Sequence, residues 1–103
     1  MIVDAENVRR SRWPNLEREE LVHRVRRWAG ENDVDHVIVF DGPPPEQAPD
    51  LVAGHPTADD WIAENAWQYE PYWLVTSDRG LRDRAGGGAD RIVGGGGFLN
   101  QIV

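Results

Sequence analysis

The chain has neither cysteine nor lysine among its 103 residues, and all eleven of its basic side chains are arginine. Without cysteine there is no disulfide framework and no thiolate metal site, which suits a reducing compartment. Without lysine a P-loop is excluded, because its Gly-Lys-Ser/Thr turn needs an ammonium on the phosphates. Receiver-type phosphoacceptor domains and haloacid-dehalogenase-like phosphatases also carry acids at strand ends, but they normally neutralise the phosphoryl group with a lysine and are disfavoured with it. No apolar run approaches the roughly 20 residues of a membrane span, and the N-terminus lacks the basic region and long apolar stretch of a signal peptide. A soluble, cytoplasmic protein forming one domain over residues 1–103 is expected. There is no Gly-x-Ser-x-Gly elbow and no His-Glu-x-x-His, so serine-hydrolase and zinc-protease chemistry have no motif. His23, His36 and His55 read as structural or solvated.

What is present is acid, unevenly spread. The formal charge is -7, made up of +2 over residues 1–30, -10 over residues 31–75 where no basic residue occurs, and +1 over residues 76–103. Three apolar runs end in an aspartate: Ile2-Val3-Asp4, Val37-Ile38-Val39-Phe40-Asp41 and Leu74-Val75-Thr76-Ser77-Asp78. A further acidic pair, Asp59-Asp60, opens a helical pattern. In an open parallel α/β sheet the carboxyl ends of the strands share one edge, where ligands bind, so these carboxylates are expected to converge. Converging carboxylates repel unless a positive charge sits among them, and a hard divalent cation such as Mg²⁺ suits an all-oxygen set.

The pattern predicts a β-α-β-α-β-α-β order. Strands are expected at residues 1–4, 34–41, 72–76 and 91–93, and helices at about 16–29, 57–69 and 79–85. In the first helix Leu21, Val22, Val25, Trp28 and Ala29 share a face, with Asn15 and Gly30 as its caps. In the second, Ala58, Trp61, Ile62, Ala66 and Tyr69 form the inner face. The proline-rich stretch from Gly42 to Pro56 reads as a loop facing the substrate, a lid or flap. The run Gly94 to Gly97 reads as a flexible turn before a short end segment, Phe98-Leu99. Asp59, Asp60 and Asp78 also have a structural reading, since acids in a first helical turn act as caps and oppose the helix dipole. Asp4 and Asp41 have no capping explanation at this level.

Four segments together, Val3-Asp4-Ala5-Glu6-Asn7-Val8, Val39-Phe40-Asp41-Gly42, Ala58-Asp59-Asp60-Trp61-Ile62 and Val75-Thr76-Ser77-Asp78-Arg79, resemble the NYN domain family of the PIN-like nuclease superfamily, in the family's order and over nearly the whole chain. The resemblance implies a three-layer α/β/α sandwich with a central, mainly parallel sheet of about four strands, and a metal-dependent ribonuclease. It implies that Asp4, Asp41, Asp59 and Asp78 are the catalytic acids and ligands of Mg²⁺ or Mn²⁺, with Asp60 as an additional acid. It also implies that Asn7 orients Asp4 or a water. Three departures stand out: Ala5-Glu6 replaces a glycine and an aromatic, Gly80 replaces a second acid after Asp78, and the chain stops soon after Phe98-Leu99.

The mechanism expected from this set is metal-assisted attack of water on an RNA phosphodiester. Thr76 and Ser77 support the ligands or the phosphate, and Arg9, Arg10 and Arg79 bind substrate phosphates. Two other readings compete. One is a non-catalytic module binding RNA or a protein, a second copy of the chain included, through exposed Trp13, Trp67 or Trp73. The other is a phosphatase or small-nucleotide hydrolase using the same acidic edge.

Overall fold

Side chains alternate along the central strands and feed two separate cores. In the computed structural model, which describes residues 1–103, β1 (Ile2–Asp4), β2 (Val37–Asp41), β3 (Leu51–Gly54), β4 (Tyr72–Val75) and β5 (Ala89–Val93) form one sheet of order β3-β2-β1-β4-β5. Every pairing is parallel. Val3, Ile38, Phe40 and Val75 point to one face and pack under α1 (Ala5–Arg9), α2 (Arg18–Glu31) and α5 (Gly95–Ile102). Ile2, Val37, Val39, Tyr72 and Leu74 point to the other and pack under α3 (Ala58–Asn65) and α4 (Arg79–Ala85). Burial on both faces explains the near-continuous apolar runs of β1, β2 and β4. The α/β class with helices on both faces of a parallel sheet thus stands.

Several expectations are corrected. The sheet has five strands where about four were expected. The additional one, β3, lies inside the stretch read as a lid, and pairs along β2 from Ile38↔Leu51 to Asp41↔Gly54. Residues 42–50 can make this parallel connection without a helix because the strands are short and the chain need retreat only about three residues, roughly 10 Å. That loop is fastened down. Arg26 holds Asp50 with two hydrogen bonds of 2.8 Å, His36 Nε2 meets Asp50 Oδ2 at 2.8 Å, and Arg18 donates to the Pro43 carbonyl.

Strand β2 begins at Val37, and α2 begins at Arg18 with Glu17 before it, so Asn15 caps nothing. Ala5–Arg9 is helical, and the expected second helix gives way at Ala66 to a 3₁₀ turn, which leaves Tyr69 42% exposed. The glycine run is the start of a full helix, α5, whose Phe98, Leu99 and Ile102 are buried. Low helix propensity at the glycines is overridden by that packing.

Candidate functional site

The carboxyl edge of the sheet opens into a cleft of about 600 Å³ lined by eleven residues, none of them hydrophobic. Asp4, Asp41, Asp59 and Asp78 all line it, carried by four different elements, with Asn7, Ser77, Glu6 and Arg10 among their neighbours. The strand register explains the meeting. Val3 pairs with both Ile38 and Val75, so Asp4, at the end of the central strand, lies level with Thr76 beside it.

Asp4 is the deepest acid, only 4% exposed. Its Oδ2 accepts a hydrogen bond of 2.9 Å from Thr76 Oγ1, which in turn accepts from the Asp78 backbone N–H at 3.1 Å. Burial pushes the Asp4 carboxyl up to about 6; the Thr76 bond opposes this, and repulsion from Asp59 and Asp41 adds to it. Burial also raises the half-buried Asp59, with Asp78 and Asp41 adding repulsion and Arg84 opposing it. Asp4 and Asp59 therefore each feel neighbouring acids of the cleft.

Asp41 has a structural partner that local sequence could not reveal. Its Oδ1 accepts from the Ala58 N–H at 2.7 Å, satisfying an orphan donor at the start of α3. The expectation that Asp41 has no capping role is thus corrected. Asp78 does cap α4, accepting from Leu81 N–H at 3.0 Å. Asp60 lies outside the cleft: its N–H bonds the Thr57 hydroxyl, and its carboxylate pairs with Arg84 at 3.0 Å and is held below the usual range by Thr57 and Arg84.

The supporting residues form a tie across three elements. Asn7 Oδ1 accepts from Ser77 N–H and Ser77 Oγ accepts from Gly95 N–H, each at 2.8 Å, joining α1, the β4–α4 turn and α5. A Cβ on Gly95 would collide with Asn7 Oδ1 and lie 2.9 Å from Ser11 Oγ, so only glycine permits this contact. Arg82 clamps the Thr76 carbonyl with two donors, at 3.1 and 2.9 Å.

The arginines divide. Arg10 lines the cleft and is largely exposed. Arg9 is turned away, donating to Glu6 Oε2 and to the Leu16 carbonyl. Arg79 is exposed at the start of α4, beside the cleft wall that Asp78 forms. Glu6, the extra acid of the first motif, does line the cleft, but Arg9, Arg10 and Arg18 surround it at 3.1 to 3.5 Å.

No three His, Cys, Asp or Glu side chains stand close enough to grip one ion directly. The donors are hard oxygens throughout, the type that Mg²⁺ and Mn²⁺ take, and Mg²⁺ commonly keeps several waters. The set therefore fits an ion held largely through water, with Asp4, Asp41, Asp59 and Asp78 as the side chains available to it. The chain matches no protein-family model, no curated protein and no solved structure. No helix is long and apolar enough to cross a membrane.

Proposed function

We propose that the protein is a metal-dependent ribonuclease, hydrolysing RNA phosphodiester bonds in the cytoplasm, with the PIN-like architecture that its motifs resemble. The observation that carries this reading is the convergence of Asp4, Asp41, Asp59 and Asp78, from four elements, on one cleft without a hydrophobic residue. Asp4 and Asp59, both raised by burial and by neighbouring acids, are short of positive charge, and a cation would supply it. Bound there, Mg²⁺ or Mn²⁺ would provide Lewis acidity to activate water and to neutralise charge on the leaving oxygen.

The chain's own residues hold and orient. Thr76 fixes one oxygen of Asp4, which lines the cleft, while Arg82 holds the Thr76 backbone in place. Asn7 and Ser77 set the distance between the two walls. Arg10 at the wall and Arg79 beside it are the cations for the substrate backbone, a use that carries little sequence preference. Arg9 serves indirectly, by shaping the Glu6 cluster.

The test is cleavage of end-labelled RNA with Mn²⁺, with Mn²⁺ plus chelator, and with a generic phosphomonoester as a second substrate. Metal-dependent RNA cleavage supports the reading; turnover of the monoester alone would replace it with a phosphatase.

A second reading, a non-catalytic RNA- or protein-binding module, is favoured by the capping bonds of Asp41 to Ala58 and of Asp78 to Leu81. RNA binding that persists in chelator, without any cleavage, would select it.

A further inference from the structure

Trp13 is 84% exposed, the most exposed large apolar side chain in the protein. It stands in a loop pinned at its base and at its side. Arg9 and Leu16 close the base, with Leu16 N–H donating to the Arg9 carbonyl at 3.1 Å and Arg9 Nη1 donating to the Leu16 carbonyl at 3.0 Å. Arg12 braces the side by donating to Asn100 on α5, and Ser11 Oγ donates to the Asn7 carbonyl at 2.6 Å. Arg10 and Ser11 of the same loop line the acidic cleft. Two residues of chain span at most about 7 Å, so the Trp13 backbone is that close to the cleft wall.

An indole exposed on a braced loop, next to arginines and beside the acidic cleft, has the parts of a base-stacking site: a π-face open to solvent and cations for adjoining phosphates. We propose that Trp13 is a stacking platform for one unpaired nucleobase at the mouth of the cleft, flanked by Arg10 and Arg12. This inference rests on the ribonuclease reading. Trp67, 67% exposed, supplies the contrast, because it follows α3, whose first turn is at the cleft and whose far end is not.

The experiment measures fluorescence anisotropy of a labelled single-stranded ribo-oligonucleotide with the Asp4→Asn protein in Mg²⁺, to hold binding apart from cleavage. The expected result is a roughly tenfold loss of affinity on adding Trp13→Ala, a smaller loss with Trp13→Phe and none with Trp67→Ala. A single abasic nucleotide moved along the strand should weaken binding at one position, and that position-specific loss should vanish in Trp13→Ala. Unchanged affinity in Trp13→Ala, or an abasic loss that persists there, overturns the platform while leaving the ribonuclease reading intact. A parent protein that neither binds RNA nor, with Asp4 restored, cleaves it overturns both.

Discussion

Thr76 Oγ1 donates a 2.9 Å hydrogen bond to Asp4 Oδ2, joining two residues 72 positions apart, both withdrawn from solvent. It is the one side-chain donor that the buried carboxylate has, and the same hydroxyl receives the Asp78 N–H.

Replacing that hydroxyl by a methyl takes from the buried carboxylate its one side-chain donor and leaves the Asp78 N–H without its acceptor. Thr76→Val should lower stability at pH 7 by about 2 kcal/mol, whereas Thr76→Ser should nearly restore it. Urea unfolding of the three proteins measures this, and RNA cleavage should follow the same order.

Asp4 and Asp50 bring opposite pH dependences. Asp4, pushed up to about 6 by burial, holds its proton more tightly folded than unfolded, so its contribution is full below about pH 4 and is lost as pH rises through about 6. Asp4→Asn should remove that loss and make the protein more stable than wild type at pH 7, on the order of 2–3 kcal/mol, with no gain at pH 4. Thermal unfolding of both proteins between pH 4 and 8 checks the sign.

Asp50 is held far below the usual carboxylate range, chiefly by its hydrogen bonds from Arg26 and then by His36. Its contribution is therefore present above about pH 4 and disappears as pH falls below that. Arg26→Ala should cost about 1–2 kcal/mol at pH 7, moderated by the partial exposure of the pair, and should leave RNA cleavage unchanged.

The glycines at the start of α5 should separate cleanly. Gly95→Ala forces a methyl against Asn7 and Ser11 and is expected to destabilise by about 1–3 kcal/mol and to slow cleavage. Gly97→Ala meets no atom within 4 Å and should instead stabilise by about 0.5 kcal/mol through helix propensity. Unfolding midpoints of the two variants decide this.

These cases show where sequence reading sufficed and where it stopped. β1, β2 and β4 were legible because burial on both faces leaves an unbroken apolar run, and Asp4, Asp41 and Asp78 were legible as the polar residues that end or follow such runs. β3 was not, because Leu51-Val52-Ala53 is a short edge segment behind a proline-rich stretch. Nor was α5, since three glycines oppose a helix locally and only Phe98, Leu99 and Ile102, packed on the sheet, hold it. The Asp41 cap to Ala58 and the Arg26–Asp50 pair were hidden for one reason: each joins residues, 17 and 24 positions apart, that are brought together by the fold rather than by neighbouring positions.

The cleft stands or falls on the contrast between an acid inside it and one just outside. Single-turnover RNA cleavage in Mn²⁺ should be at least about a hundredfold slower for Asp4→Asn and close to wild type for Asp60→Asn, whose carboxylate faces Arg84. Equal rates for Asp4→Asn and wild type, or activity untouched by chelator, would contradict the assignment of this cleft as a metal-dependent ribonuclease centre.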